Sequence, residues 1–324
     1  MADLYTAVGK VIDGGSETGL DLIGQSLLKT ARETVLALNK NQRCVNFVYF
    51  TDAHLSADGQ KVQTDTVSAY HSLKMVSALA KERWADAVFF GGDVINAYES
   101  DFGMAAERMS EFAGALQDVK IPVYFCKGNH DDNVKVSDNN RFTNGVWSAL
   151  TKQWQTGAVY NPNDPDGGYY YVDLPGDVRV FVWNQFHSAV GDDSATNWND
   201  TNPGISGTQA NWFKSVLDDS KTLVTIYHNP ESGGTSAAVL AGNFAGSACI
   251  ITGHMHADAL SEGVVPHFTV ARSYAIVGST NSSHVIDSGA DLYCVSVFTI
   301  DTVNKIVYET RIGRGESRQA TYGV

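Results

Sequence analysis

Five short segments of the chain carry side chains that can hold a metal ion: Asp52 and His54, Asp93, Asn129 to Asp131, His228, and His254 and His256. Each segment directly follows an apolar run of strand character: "VNFVYF", "AVFFGG", "IPVYFC", "TLVTIY" and "SACIIT". Taken singly, each has an innocent explanation. An Asp after a strand caps a turn, "GGD" makes a tight turn, and a histidine at a strand end is more often a hydrogen-bonded rim residue than a ligand. Their common location is the informative feature. Carboxylates, an amide and imidazoles delivered by five separate strand ends can converge on one place, and that combination suits metal-assisted chemistry.

The elements that must position them alternate strand and helix. After "VNFVYF" comes a helix with Ala69, Leu73, Val76 and Ala80 on one face. Then follow "AVFFGG", a helical stretch around 102–118, and "IPVYFC". This βαβαβ succession predicts neighbouring parallel strands with right-handed crossovers and a functional edge at their carboxyl ends. Further on, "YYYVDL", "VRVFVW", "TLVTIY" and "SACIIT", then alternating runs up to a terminal hairpin of "VSVFTI" and "IVYETRI", predict a second, more antiparallel sheet. Residues 1–43 read as a helical extension with an apolar stripe at Leu20, Ile23, Leu27, Ala31, Val35 and Leu38. Packing against the main domain is the favoured reading of that stripe, over oligomerisation or attachment. Residues 44–313 read as one domain and 314–324 as a tail; "NPNDPDGG" and "GDDSATNWNDTNPG" read as surface excursions.

The segments DAH (52–54), GGDVIN (91–96), GNHD (128–131), YHN (227–229) and GHMH (253–256), in this order, resemble the five successive motifs of the calcineurin-like metallophosphoesterase family. GNHD and GHxH are the specific parts. Asn96 departs from the pattern, since many members carry Asp there in GDxxD. The resemblance implies an α/β fold, a four-layer αββα sandwich of two mixed β-sheets. It implies a dinuclear centre that hydrolyses phosphate esters, mono- or diesters, by attack of metal-bound hydroxide. Asp93 would bridge the two ions. Asp52, His54 and His256 would complete one, and Asn129, His228 and His254 the other. His130 would touch the phosphate and protonate the leaving oxygen, with Asp131 orienting its ring. The mixed oxygen and imidazole donors suit Mn, Fe or Zn, and the lack of thiolates argues against a structural zinc. Two divalent ions with two carboxylates and a hydroxide leave the centre net positive, so it attracts a phosphoryl group. The helix in "ISGTQANWF" is also common in the family; its residues predict a capping box from Ser206 and Gln209, with Trp212, Phe213 and Val216 toward the core.

The formal net charge of −13 disfavours duplex nucleic acid, which demands many Lys and Arg against phosphates, and favours a small phosphate ester as partner. A nuclease acting on single strands is the nearest alternative. From another class, a binding or structural module could keep the fold with a vestigial metal site, its N-terminal helix serving a larger assembly. Cys44, Cys126, Cys249 and Cys294 form no CxxC and read as reduced, buried thiols. With no secretory signal and no membrane span in view, the expectation is a cytoplasmic protein. Of the remaining histidines, His71 is expected to be solvated, His187 to sit at the rim, and His267 and His284 to stand outside any motif. Trp154 and Trp198 are expected to anchor a helix and a loop. Arg272, Arg311, Arg314 and Arg318 could reach substrate phosphate if the C-terminal segment folds back.

Overall fold

The computed structural model describes residues 19–55, 66–95, 102–116, 118–132, 142–187, 204–230, 235–273 and 289–323. Asn96, Trp198, His284 and nearly all of the loop 191–204 lie outside the described residues.

The chain opens with helix α1 (Leu22–Leu38), followed by β1 (Val45–Phe50), α2 (Thr66–Leu79), β2 (Ala87–Phe90), α3 (Phe102–Ala115), β3 (Val123–Phe125) and α4 (Asn144–Thr151). Strands β4 (Val159–Tyr160), β5 (Tyr170–Leu174) and β6 (Val178–Val182) precede α5 (Gly207–Ser215), β7 (Thr222–Ile226), α6 (Thr235–Asn243) and β8 (Ser247–Thr252). Then come β9 (Ala259–Ser261), β10 (His267–Thr269), and the terminal β11 (Cys294–Asp301), β12 (Ile306–Gly313) and β13 (Arg318–Thr321). Among the described residues the strands form two mixed sheets, ordered β13-β12-β11-β1-β2-β3 and β4-β5-β6-β7-β8-β10-β9.

The βαβαβ start gives parallel β1, β2 and β3, as the alternation predicts. The terminal hairpin lies antiparallel beside β1, with Phe47 opposite Phe298. The second sheet is less antiparallel than the strand pattern predicts. Its centre, β6-β7-β8-β10, is parallel, and only the β4-β5-β6 side and the β9 edge run antiparallel. The reason is the connections: α5 lies between β6 and β7 and α6 between β7 and β8, and a helical crossover returns the chain in the same direction.

Period-2 alternation sorts the strands' side chains into separate cores. On β1, Val48 and Phe50 face α1–α4, packing with Leu73, Val76, Phe112 and Trp147. Val45, Phe47 and Tyr49 face the other way, into a layer between the sheets shared with Phe89, Val180, Ile251, Phe268 and Phe298. The far face of the second sheet packs Phe181, Trp183 and Ile250 against Phe213 of α5 and Leu240 of α6. The succession is helix, sheet, sheet, helix.

Helix α1 packs on the first core, but with a rotated stripe: Gly24, Leu28, Ala31 and Val35 are buried, and Ile23 is 41% exposed. Asp21 caps the helix by accepting from Gly24 N at 2.7 Å, and also accepts from the Tyr293 hydroxyl at 2.9 Å. His71 is buried, not solvated. The short helical turn Gly289–Leu292 and α1 cover the second face of α2, and the His71 ring meets Tyr293 edge-on at 5.2 Å. Burial, chiefly, lowers its pKa. Trp154 packs against the first core. His187 is buried, with Nε2 3.0 Å from Asp164. His267 bonds Thr252, and burial holds its pKa down at about 4. The capping box is half present: Ser206 accepts from Gln209 N, but the Gln209 amide instead pairs with both backbone groups of Asn184.

All four cysteines are buried and free. The C-terminal segment folds back as β13 on β12, with Val307 opposite Ala320. Arg311 pairs with Asp258 and Glu309, and Arg318 pairs with Glu309. No helix of the described residues is long and apolar enough to cross a membrane.

Candidate metal centre

Beyond β1 and β2 the two segments continue side by side: Asp52 N donates to Gly92 O at 2.9 Å, His54 N to Asp93 O at 3.0 Å, and Leu55 N to Val94 O at 2.8 Å. The β3 loop is tied to them by Asp131. Its carboxylate accepts from Gly128 N at 2.7 Å in its own loop, and from Asp93 N at 2.9 Å and Val94 N at 2.7 Å in the neighbouring one. Asp131 thus buckles two loops together through backbone amides. The contact is tight: a Cβ on Gly128 would run into Oδ1 and the amide of Asp93, so only glycine fits.

Seven described non-glycine residues have positive φ, and five of them are Asp52, His54, Asp93, His254 and His256, at 46–66°. A left-handed backbone at a non-glycine residue costs on the order of 1–3 kcal/mol, and such residues concentrate where function requires a side chain to be aimed. Here the turns direct the side chains of separate strands to one point.

At that point Asp93 Oδ1 accepts from His130 N at 2.9 Å, which leaves Oδ2 turned inward. Oδ2 lies 3.1 Å from Nε2 of His228 and 3.4 Å from Nε2 of His54. Asp52 Oδ1 lies 3.3 Å from Nε2 of His256, 3.7 Å from His54 and 4.0 Å from His228. Asn129 Oδ1 meets Nδ1 of His254 at 3.0 Å. His130 stands edge-on to His54, with ring centroids 4.5 Å apart. The acidic and histidine side chains form three overlapping groups able to hold a cation, Asp52–His54–His256, His54–Asp93–His130 and Asp93–His228–His254, each with donor atoms within 4.8 Å of one another. Eight of the nine residues named in the sequence as ligands or catalytic groups bring their side chains together here; the ninth, Asp131, expected to orient the His130 ring, turns its carboxylate to the backbone amides of Gly128, Asp93 and Val94 instead.

Two observations fit these donors to a cation. Asp52 Oδ1 and His228 Nε2 are buried and make no hydrogen bond. Moreover, His228 Nδ1 lies 2.8 Å from the carbonyl of Gly91, which can only accept, so Nδ1 carries the proton and Nε2 presents its lone pair to Asp93. A lone pair facing a carboxylate oxygen needs a positive charge between them. Without metal, a proton serves: although burial pulls the His228 pKa down, the charge of Asp93 and then that of Asp52 push it up to about 10. Burial raises the Asp52 and Asp93 carboxyls, but the surrounding histidines outweigh it and hold both well below the usual range. Asp131 is pushed up to about 7 by burial and by the charge of Asp93, against the pull of the Gly128 and Val94 amides.

Asp52, His54, Asp93, Asn129 and His228 are buried, whereas His130, His254 and His256 are only partly so. The centre is closed toward the sheets and open on the side of these three histidines. Sequence reasoning missed the residues that hold the ligands from behind. Gln185 is one: its side-chain amide pairs with both backbone groups of Asn229, directly after His228, at 2.7 and 2.8 Å. Its position at the end of a strand adjacent to β7 was the available signal. Arg272, which the sequence did offer as a possible phosphate contact, lies beside the centre, with Nη1 3.4 Å from His256 Nδ1, and Arg314 donates to its carbonyl.

Residues 45–258 match the family described as calcineurin-like phosphoesterase. Among solved structures, the chain is similar to a dimetal phosphatase from Danio rerio, at 14% identity and TM-score 0.65, over 86% of this chain and 99% of that one. It is also similar to a purple acid phosphatase from yellow lupin (Lupinus luteus) seeds, at 13% identity and TM-score 0.53, over 86% of this chain and 54% of that one. At these identities the likeness is one of fold. No curated protein matches the chain.

Proposed function

The chain belongs to the calcineurin-like phosphoesterase family, and from that premise we propose that it hydrolyses small phosphate esters at a centre of two divalent transition metal ions. The observation that carries this reading is the placement of one carboxylate oxygen, Asp93 Oδ2, between His54 and His228, 3.4 and 3.1 Å away. One such oxygen can serve two ions at once. Asp52, His54 and His256 would hold the first, Asn129, His228 and His254 the second. The donor set of imidazoles, carboxylates and an amide fits Mn, Fe or Zn. When bound, the ions would supply a hydroxide nucleophile at neutral pH and offset charge on the phosphoryl oxygens.

The chain's own residues do the rest. Asn129 is a neutral donor, so the centre keeps positive charge that an Asp there would cancel. His130 remains outside the two ligand triads on the open side, its backbone fixed by Asp93. From there its ring can give a proton to the departing ester oxygen. Asp131 would contribute through the loop it buckles, by fixing the backbone that carries His130.

Assaying the purified protein on a panel of phosphate mono- and diesters, with added Mn or with chelator, tests the reading. Mn-dependent hydrolysis that chelator abolishes is the expected result. A metal-loaded protein inactive on every ester would favour a non-catalytic binding module, and a preference for single-stranded nucleic acid would favour the nuclease alternative.

A further inference from the structure

Thr51 belongs to neither ligand triad, yet its side chain is bonded to a ligand. Asp52 turns Oδ1 toward His256 and His54. Its other oxygen, Oδ2, receives the Thr51 hydroxyl at 2.7 Å and the His254 amide at 3.1 Å. An ionised carboxylate only accepts, so the hydroxyl proton must point to Oδ2, and a donor to a buried carboxylate makes a charge-assisted bond. A carboxylate left alone rotates broadly about its last torsion. With two donors on Oδ2, Asp52 presents one oxygen to the cluster and keeps the other out of it.

The surroundings are shaped to keep this pair. A Cβ on Gly253 would collide with the Thr51 hydroxyl and come within 2.5 Å of Asp52 Oδ2, so glycine is what lets the GHMH loop close over them. The Thr51 backbone is secured separately, its carbonyl accepting from Ser273 N at 3.0 Å. The hydroxyl can therefore be removed without releasing the strand end.

We propose that Thr51 is a positioning residue: by donating to Oδ2 it fixes the one-oxygen presentation of Asp52 and so sets the divalent-ion affinity of the Asp52–His54–His256 side of the centre. The inference rests on the two-metal reading above but concerns one side only. Calorimetric titration of Mn into the chelator-treated full chain tests it, with circular dichroism and thermal unfolding of the metal-free proteins as controls. Thr51→Val should keep the fold and weaken one of the two equivalents by about 10- to 100-fold, leaving the other unchanged, while Thr51→Ser stays close to wild type. Should the valine variant not fold, Thr51→Ala carries the same expectation. Thr51→Val binding both equivalents like wild type, or weakening both equally, would overturn the proposal, as would a serine variant as weak as valine. A wild-type chain that bound no Mn would overturn the metal reading itself, and this inference with it.

Discussion

Nε2 of His228 lies 3.1 Å from Oδ2 of Asp93, both fully buried, and the Gly91 carbonyl on the other side of the ring fixes which nitrogen faces the carboxylate. The pair requires a cation: in the metal-free protein a proton takes that place, and under the proposed reading a metal ion would compete for it.

That competition predicts a pH dependence that metal reverses. In the metal-free protein His228 titrates at about 10 instead of 6.5, so its stabilising contribution is complete below pH 6.5 and is lost as pH rises toward 10. Asp131, raised from 3.8 to about 7, loses its contribution between those values, in the same direction. Asp52 and Asp93, lowered, lose theirs only as pH falls below the ordinary carboxylate range. The melting temperature of chelated protein should therefore fall from pH 6.5 to 10. With Mn present the decline should disappear, because the metal takes the deprotonated ring and binds better as protons leave. Parallel melting curves with and without Mn would contradict this.

Asp131 accepts three short backbone hydrogen bonds from two loops. Asp131→Asn keeps the shape but turns one acceptor into a donor facing an amide. A loss of about 1–3 kcal/mol in denaturant unfolding is expected, with weakened metal retention. An unchanged midpoint would show that the buckle contributes nothing.

These two residues also mark how far the sequence was legible. Strand ends could be read because apolar runs stop abruptly before DAH, GGD, GNHD, YHN and GHMH, and the order of elements yields parallel β1–β3. What Asp131 bonds to could not, since two of its three partners, the amides of Asp93 and Val94, belong to a loop far away in sequence. Nor could the left-handed turns at Asp52, His54, Asp93, His254 and His256, since Asp and His are enriched at positive φ yet adopt it at only a small share of positions. His71 was misread because its helix has two buried faces, one covered by residues near Tyr293 that come late in the chain. The parallel centre of the second sheet was readable: the helix in "ISGTQANWF" lies between two strands, and that order calls for a crossover.

His130→Ala should discriminate between substrates. An alkoxide needs a proton as it leaves and a nitrophenolate does not, so alkyl esters should lose about 10²- to 10⁴-fold in kcat/KM and nitrophenyl esters much less, with metal content unchanged. Equal losses would make His130 a phosphate-positioning group instead.

Among single ligand substitutions Asp93→Ala should be the most damaging, since it loosens both ions where Asp52→Ala or His254→Ala loosens one. Metal content of the three variants after identical dialysis checks the ranking. Full metal retention by Asp93→Ala would mean that Asp93 does not bridge.

A two-metal centre assembled from five strand ends has a direct signature in elemental analysis of the protein purified without chelator. Close to two transition metal ions per chain are expected. A folded chain that holds no measurable metal, even after Mn is supplied, would contradict that expectation.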